Sequence, residues 1–371
     1  ANGTWGTSEV AFGFGFKGVS GTALAPTLPV KTAIIPSGEL TDPTKVQTYA
    51  SPVITDDYAY QAIFYYRNNH QWEGDILRYA LESDGSFTSD DPISAKTLLE
   101  AKINNTNYED DYFATGGTTS GRGIWTVGYD PSCVTSPKLE RVTHSVSIPG
   151  KGSKAILDQN NFTSANADAL ESLLYNCTGE VSDGDKEKLV GFVRGFDAYG
   201  EDSGLPADSS NLRRSLLADT FHSDLVFVGA PSAATSASGV YTEAYFRGHH
   251  DYEAFKATWS DREGRFYVGA NDGMLHGFSA DSGNEVLAYV PGELLPEINL
   301  LTADGYATSV PHRYFVDGTP MIADVKLNIS NTVTWKTILA GGLFFTAMTM
   351  FFISESLTVI FLIMFLLCVG M

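Results

Sequence analysis

Of the seven histidines in the sequence, two stand together with a carboxylate in His249-His250-Asp251, which makes this the strongest candidate histidine cluster for a metal. Imidazole and carboxylate groups bind divalent metals, but a tetrahedral site needs three or four of them converging on one point. Adjacent residues of an extended chain point to opposite sides, and no further ligand triplet stands at a suitable spacing. We therefore predict a solvated loop here rather than a metal site.

Glycines at 13, 15 and 18 satisfy the Gly-x-Gly-x-x-Gly pattern of dinucleotide-binding turns. That pattern binds a pyrophosphate only where a helix follows, because the helix N-terminus supplies the N–H groups. Here Val19-Ser20-Gly21 and prolines at 26 and 29 follow instead. The sequence also has no Gly-x-Ser-x-Gly elbow, His-Glu-x-x-His helix or phosphate loop. We predict no catalytic residue and no cofactor-binding residue.

The sequence has three cysteines and no Cys-x-x-Cys spacing, so a structural zinc site of the usual kind is not expected. Cys133 and Cys177 flank an irregular polar stretch and form a candidate disulfide in an oxidising compartment. Sequence leaves this pairing open, because it does not show whether their Cα atoms come within bridging distance. Cys368 lies in a separate apolar tail.

The clearest structural pattern runs from Arg265 to Val290 and predicts three antiparallel strands. Asn271-Asp272-Gly273 is a strong turn signal, and we expect Asp272-Gly273 to close a two-residue hairpin, since glycine tolerates positive φ. Asp281-Ser282-Gly283-Asn284 predicts the second turn. His276 stands on the middle strand, where we expect a hydrogen-bonded core or channel residue rather than a catalyst.

Weaker copies of this pattern occur at Phe64–Leu81 and from Asp224 to Ala230. Repeated meanders of this kind are typical of the four-stranded blades of a β-propeller. We predict an all-β fold, an incomplete β-propeller with blades at roughly 58–130 and 220–342. Asp317-Gly318 is expected to form a turn, and Trp72, Trp125 and Trp335 are expected to pack between blades.

Composition agrees with many short strands joined by turns, since the 371 residues include 36 Gly, 18 Tyr and 22 Phe. Lys and Arg total 24 against 44 Asp and Glu, which gives a net charge of −20. A protein this acidic lacks the cationic surface that neutralises phosphates, so nucleic-acid binding is excluded.

The chain divides into three parts by composition. Residues 1–50 are rich in Gly, Thr and Pro and predict loops and edge strands, and 51–342 form the propeller-like region. Within it, Asp91-Pro92 is expected to begin a short helix with Ile93, Leu98 and Ala101 on one face. Residues 131–190 read as an insertion, with helical pieces at Ala165–Tyr175 and Lys186–Val193.

Residues 343–371 form an anomalous apolar C-terminal tail whose only charge between Leu343 and Val369 is Glu355. As a helix it would span about 40 Å, longer than the hydrocarbon core of a bilayer. The carboxylate at its centre and the lack of a basic anchor argue against a membrane helix. A truncated or frame-shifted end and a membrane segment remain as the two interpretations.

The sequence resembles the PilY-type family of type IV pilus biogenesis and tip-adhesin factors. The resemblance covers roughly residues 50 to 342 and rests on a series of segments in the same order: Trp72–Leu77, Arg122–Thr126, Leu189–Gly195, Leu217–Gly229, Tyr267–Phe278, Glu285–Pro291, Pro311–Pro320 and Trp335–Leu339. Its structural signature consists of Gly269, Asn271, Asp272, Gly273, His276, Asp317, Gly318 and Trp335.

Family membership implies a C-terminal β-propeller and export to the cell surface, the pilus tip or the outer membrane. It implies minor pilins or the pilus tip, and a host or abiotic surface, as partners. Calcium is a cofactor only by this resemblance, because its ligands are not identifiable: Asp183-Gly184-Asp185 is the nearest approximation to a calcium loop and lacks the ligand spacing. After Gly342 the chain departs from the family and enters the apolar tail.

Two functions from different classes follow. The first is a non-enzymatic cell-surface protein that acts in pilus biogenesis, adhesion or surface sensing. The second is a quinoprotein dehydrogenase, whose propellers carry similar Val-Gly-x-x-Asp-Gly-x-Leu repeats. The irregular repeats and the absence of an adjacent cysteine pair favour the first. Absorbance after reconstitution with quinone and calcium distinguishes the two.

Overall fold

A computed structural model describes the following residues: 46–49, 53–55, 57–66, 71–83, 92–104, 122–126, 128–130, 138–140, 144–148, 152–156, 162, 183–200, 212–236, 242–329, 332–342, 348–353 and 360–363. The predicted disulfide cysteines, the Gly-x-Gly-x-x-Gly stretch and the helical piece at Ala165–Tyr175 lie outside them.

The strands of the described part are β1 Val46–Tyr49, β2 Val53–Ile54, β3 Tyr58–Tyr66, β4 Glu73–Ala80, β5 Ile93–Ser94, β6 Ile124–Thr126, β7 Gly128–Asp130, β8 Lys138–Glu140, β9 His144–Ile148, β10 Gly152–Ile156, β11 Val226–Val228, β12 Arg265–Gly269, β13 Leu275–Ser279, β14 Glu285–Val290, β15 Met321–Ile329, β16 Thr332–Gly342, β17 Met348–Ile353 and β18 Ile360–Ile363. The helices are α1 Ala95–Asn104, α2 Asp183–Arg194, α3 Glu243–His249 and α4 Tyr252–Thr258, with a 3₁₀ helix at Gly292–Thr302.

These elements confirm a mostly β fold with few helices. The described strands form five sheets: β1-β3-β4-β5 with β2 on β3, β7-β8, β9-β10, β11-β12-β13-β14-β6, and β15-β16-β17-β18. None of these five closes on itself. Among the described residues, no helix has the length and apolar character needed to cross a membrane.

The central sheet is built on the predicted meander, with β12, β13 and β14 antiparallel in sequence order. β11 adds to the outside of β12, and β6 pairs in parallel with β14. Both faces of β12 are buried because alternate residues enter different apolar clusters: Tyr267 packs with Leu275 and Tyr289 on one face, and Phe266 and Val268 on the other. The meander is therefore core rather than surface.

The hairpin between β12 and β13 is confirmed, but its loop has three residues rather than two. The Ala270 N–H donates to Met274 at 2.9 Å, and the Gly273 N–H donates back to Ala270 at 3.3 Å. This encloses Asn271-Asp272-Gly273, and Gly273 has φ of +89°. A turn followed by a left-handed residue is the common form of three-residue hairpin loops.

The segment from Asp224 to Ala230 does not begin a further blade, contrary to expectation. Its strand β11 pairs with β12 and completes four consecutive strands of the central sheet. The predicted copy at Phe64–Leu81 does form a separate hairpin, in which β3 pairs with β4.

Helix α1 begins at Ala95, whereas the sequence predicts that it begins at Asp91-Pro92. The hydroxyl of Ser94 accepts from the Thr97 N–H at 3.0 Å, which is the hydrogen bond of an N-cap. The buried residues of the helix are Ala95, Leu99 and Ile103 rather than the predicted face. The second predicted helical piece is confirmed as part of α2.

Both described pieces of the apolar tail are strands rather than a helix. The backbone of β17 pairs antiparallel with β16, and β18 pairs with β17. The domain boundaries at 50, 131–190 and 342 stay predictions.

Candidate functional site: a buried ion-pair network and an exposed ring cluster

Four charged side chains meet inside the central sheet, and we call them the ion-pair network: Arg122, Asp272, His276 and Glu285. Arg122 forms a two-point pair with Glu285, with Nη2 to Oε1 at 2.8 Å and Nε to Oε2 at 2.9 Å. His276 lies between the carboxylates, with Nδ1 2.9 Å from Glu285 Oε1 and Nε2 3.0 Å from Asp272 Oδ2. All four side chains are at most 1% exposed.

Each member of the network comes from a different part of the meander or its neighbour. Asp272 is in the three-residue loop, His276 is on β13 and Glu285 begins β14. Arg122 precedes β6, which lies beside β14. Arg122 also donates to the carbonyl of Val193 at 3.4 Å, so the network ties α2 to the sheet.

The charges of the network stabilise one another. Burial alone would lower the pKa of His276, but Asp272 and then Glu285 outweigh it and raise the pKa to about 9. Burial would raise the pKa of Glu285, but Arg122 and His276 hold it well below its usual range. The pKa of Asp272 is also lowered, against burial, chiefly by His276. The network therefore contains two cations and two carboxylates at neutral pH.

A carboxylate–histidine–carboxylate arrangement is also found in enzymes, where one imidazole nitrogen faces a substrate. Here both nitrogens of His276 are bonded to carboxylates, and the imidazole is fully buried. A protonated, enclosed imidazole has no free nitrogen with which to accept a proton from a bound molecule. What the geometry does is to hold the loop, β13, β14 and β6 together.

Asn271 is the second connecting residue of the loop. Its Nδ2 donates to Asp219 Oδ2 at 2.7 Å, its own N–H donates to the Asp219 carbonyl at 2.9 Å, and its Oδ1 accepts from the Phe315 N–H at 3.0 Å. One buried amide thereby joins the hairpin to two distant segments. The Asn271-Asp272-Gly273 signature is explained by these bonds.

The two signature glycines of the hairpin have different physical reasons. A Cβ at Gly269 would overlap with the carbonyl oxygen of Val316, so the strand needs glycine for close approach. At Gly273 there is room, since a Cβ would meet only Ile298 at 3.5 Å, but φ of +89° disfavours other residues.

Residues 222–223 connect Asp317 and Gly318 to this hairpin. Asp317 Oδ2 is 2.6 Å from His222 Nδ1, and the carboxylate is 2% exposed. The hydroxyl of Ser223 accepts from the Gly269 N–H at 2.9 Å and lies 3.5 Å from the Gly318 carbonyl. Asp317 is therefore a buried partner of a histidine, and in place of the expected turn at Asp317-Gly318 the chain only bends at Gly318.

Next to Asp317 six rings touch one another, and we call them the ring cluster: Phe64, Trp72, Phe221, His222, His312 and Tyr314. Their centroids are 4.0 Å apart for Trp72–His312, 4.2 Å for Phe221–His222, 5.0 Å for His312–Tyr314 and 5.4 Å for His222–Tyr314. Phe221 also contacts Phe64, Trp72 and Tyr314 at 5.8–6.4 Å.

Two buried carboxylates lie under the ring cluster. Asp219 Oδ1 is 3.0 Å from His312 Nε2, and Asp317 holds His222 as described above. Burial, followed by the charges of Asp219 and Asp317, raises the pKa of Tyr314. Both carboxylates therefore act on the tyrosine hydroxyl.

Trp335 is the one signature residue that lies apart from the others. It packs with Tyr252 and Phe255 of α4, and its Nε1 donates to the His250 carbonyl at 2.5 Å. It borders a cleft of about 980 Å³ between β11 and β15, which Arg262 crosses to reach Thr337 at 2.7 Å.

The His249-His250-Asp251 triplet is a junction of two helices rather than a loop. His249 ends α3, His250 is its C-cap, and Asp251 precedes α4 with φ of +61°. The Nδ1 atoms of His249 and His250 lie 2.8 and 2.7 Å from the carbonyls of Tyr245 and Phe246, one turn earlier. One ring nitrogen of each histidine therefore lies within hydrogen-bond distance of a backbone carbonyl of α3.

No metal site is found within the described ranges, where three or more His, Cys, Asp or Glu side chains nowhere converge suitably for an ion. Asp183-Gly184-Asp185 forms the first turn of α2 rather than a loop. We assign no calcium ligand to the described residues.

Sequence reasoning placed Asp272 and His276 correctly in the hairpin but missed their partners. Arg122 and Glu285 are 163 residues apart, and no spacing rule links them. The ring cluster was not predicted: Trp72 was expected between blades, and the other rings apart from Phe64 lie in the family-like segments Leu217–Gly229 and Pro311–Pro320, which no spacing rule brings together. The signals in the sequence were these two segments and the density of aromatic residues around positions 64 and 314.

Part of the chain matches a known protein family. Residues 217–356 match the family model described as the PilY1 beta-propeller domain. The match extends past Gly342, so the expected departure from the family directly after Gly342 is wrong. No solved structure gives a significant match.

Curated relatives agree with the family model. The chain is 31% identical over 287 residues to the Type IV pilus biogenesis factor PilY1 of Pseudomonas aeruginosa strain PAO1, which covers 77% of this chain and 20% of the relative. It is 36% identical over 132 residues to a PilY1 homolog of Xylella fastidiosa, covering 36% of this chain and 10% of the relative. The chain spans about a fifth of the length of the Pseudomonas relative. It belongs to the PilY-type family.

Proposed function

We propose that this chain is the propeller-bearing part of an exported, non-enzymatic type IV pilus biogenesis factor. The observation that carries the proposal is the 31% identity to PilY1 of Pseudomonas aeruginosa, which extends over 77% of the chain. The structure gives a reason for the signature residues of the hairpin, because they form the interior of the central sheet. In this proposal the fold presents surfaces to partners.

The ion-pair network supports a role without catalysis. His276 is the histidine most like a general base, and both its nitrogens are bonded to carboxylates in a site that solvent does not reach. General acid–base catalysis needs a group within hydrogen-bond reach of the substrate proton. In this proposal the buried network stabilises the fold, and the exposed surface binds partners.

The proposed site of action is the cell surface, at the pilus tip or the outer membrane. The proposed partners are minor pilins or the pilus tip, and adhesion to a host or abiotic surface or sensing of that surface would follow from such contacts. Membrane contact through residues 343–371 is a separate proposal. Its test is flotation of the chain with lipid vesicles.

The test of the function is an in-frame deletion of residues 217–342 in the source bacterium, complemented with the intact gene. We expect loss of surface pili recovered by shearing, loss of twitching motility and reduced attachment. Protease added to whole cells should cleave the intact protein if it is exported. Normal piliation, motility and attachment in the deletion strain, with the shortened protein present, would contradict the proposal.

The quinoprotein alternative is tested on the purified chain. Quinone and calcium are added together and the absorbance of bound quinone and the reduction of an electron-accepting dye are measured. We expect neither signal. A rise in melting temperature with calcium, reversed by a chelator, would support the calcium binding that the family implies. Dye reduction that depends on an alcohol or aldose would replace the proposed function with an oxidoreductase.

A further inference from the structure

The outward side of the ring cluster is an unusual surface. Phe221 is 45% exposed, Tyr314 is 40% exposed, and the His222 side chain is 49% exposed. Single exposed aromatic residues are ordinary on protein surfaces, but contiguous exposed rings mark interaction sites. The three rings touch one another, at centroid distances of 4.2 to 5.9 Å.

These exposed rings are held in place from below. Phe64 is buried and packs against Phe221, and Trp72 packs against both Phe221 and His312. The His312 ring in turn contacts Tyr314 at 5.0 Å. A surface whose side chains are already ordered loses little conformational entropy when a partner binds.

The two side chains beneath the rings are carboxylates, and one of their oxygens has no hydrogen-bond partner among the described residues. Asp317 Oδ2 is taken by His222, whereas Oδ1 is buried and has no hydrogen-bond partner among the described residues. Asp219 lies under His312. The two charges that raise the pKa of Tyr314 are these two carboxylates.

We propose that Phe221, His222 and Tyr314 form a docking surface for a lysine or arginine side chain presented by a partner protein. Aromatic faces attract a cation through the ring quadrupole, and buried carboxylates behind the rings add a second attraction. The net charge of −20 makes a basic partner segment complementary to the chain as a whole. This inference rests on the proposed function, since it names the chemistry of the partner in a surface contact.

The direct test uses small probes on the intact chain, with binding followed by saturation-transfer NMR at physiological salt. The probes are Nα-acetyl-argininamide, Nα-acetyl-lysinamide, the neutral isostere Nα-acetyl-citrullinamide and a methyl glycoside. We expect saturation transfer to the two cationic probes and little to citrullinamide. Equal transfer to citrullinamide, or transfer to a methyl glycoside in place of the cations, would overturn the proposal.

Variants locate the binding. Phe221→Leu with Tyr314→Leu should weaken binding of argininamide by at least about fivefold, since each ring contributes a modest cation–π attraction. Phe246→Leu is the matched control, because Phe246 is also 45% exposed but lies on α3. Equal loss in the control, or no loss in the double variant, would overturn the proposal.

The result is separable from the function itself. If the probes do not bind but the deletion strain lacks pili, the docking surface is wrong and the proposed function stands. If the probes bind and the deletion strain is normally piliated, the surface stands and the pilus function is wrong. A change of oligomeric state in the double variant, with no effect on probe binding, would assign the surface to self-association and overturn the proposal.

Discussion

The ion-pair network and the ring cluster use the same residue types in opposite ways. Both pair histidine with carboxylate, at 2.9 and 3.0 Å around His276 and at 2.6 Å between His222 and Asp317. His276 is fully buried and bonded at both nitrogens, whereas the His222 side chain is 49% exposed. The difference teaches that a histidine–carboxylate pair reveals its role only through its burial and its remaining partners.

Desolvation explains the contrast. Charges taken out of water cost several kcal/mol each unless every one is paired, so a buried set must be complete. The network meets this condition with two cations and two carboxylates. In the ring cluster the carboxylates are buried as well, but the rings above them are exposed, so the outward sides of Phe221, His222 and Tyr314 are available to a partner.

The largest expected effect comes from removing Arg122. Arg122→Met should lower the free energy of unfolding by about 3–5 kcal/mol, because Glu285 is left buried with only His276 to balance it. Urea unfolding followed by circular dichroism measures the change. Lys256→Met is the matched control: Lys256 pairs with Glu253 at 3.4 Å, and the two side chains are 30% and 62% exposed, so a loss below about 1 kcal/mol is expected. Equal losses for the two variants would contradict the contrast between buried and exposed pairs.

Alkaline pH should weaken the network. The pKa of His276 in the folded protein, about 9, lies above its usual value of about 6.5. Its stabilising contribution is therefore complete below about pH 6.5 and is lost as the pH rises through 9, by about 3 kcal/mol. The free energy of unfolding is measured between pH 6 and pH 10, in steps of about one pH unit. His276→Gln should flatten this alkaline decline, and a decline of the same size in the variant would refute the assignment.

Gly273 should be sensitive for a reason that involves only the backbone. Gly273→Val should cost about 1–3 kcal/mol, because a β-branched residue is forced to φ of +89°. Gly341→Ala is the control, since a Cβ at Gly341 meets nothing within 4 Å. Thermal melts of both variants measure the difference. Comparable melting temperatures would show that the loop does not require a left-handed residue.

The smallest effect on stability is expected in the ring cluster. Phe221→Leu and Tyr314→Leu should each change the free energy of unfolding by less than about 1 kcal/mol, since both side chains are substantially exposed. The same urea titration tests this. Losses as large as that of Arg122→Met would mean that the rings are structural, and the surface role would lose its basis.

The meander was predictable because its signals are local. Turn residues and alternating apolar residues between Arg265 and Val290 suffice to place three strands. The loop length was predicted one residue short, because the Asp272-Gly273 pair indicates a turn but does not show which residues close it. The closing hydrogen bond joins the Ala270 N–H to the Met274 carbonyl and leaves three residues in the loop.

What sequence did not supply is long-range pairing. Helix α1 begins at Ala95 because Asp75 of β4 accepts from the Ser94 hydroxyl at 2.6 Å and from the Lys96 N–H at 2.9 Å. The partners of His276 and the rings around Tyr314 are likewise brought together only by the fold. Such contacts join residues that no local period relates.

The most direct test of the account is an NMR titration of the His276 imidazole in the intact chain. The account predicts that both ring nitrogens stay protonated through neutral pH and that the proton is lost only near pH 9. Titration near the ordinary histidine value of about 6.5, or a neutral ring at pH 7, would contradict it. In that case His276 would have a free nitrogen, and the claim that the network is structural would fail.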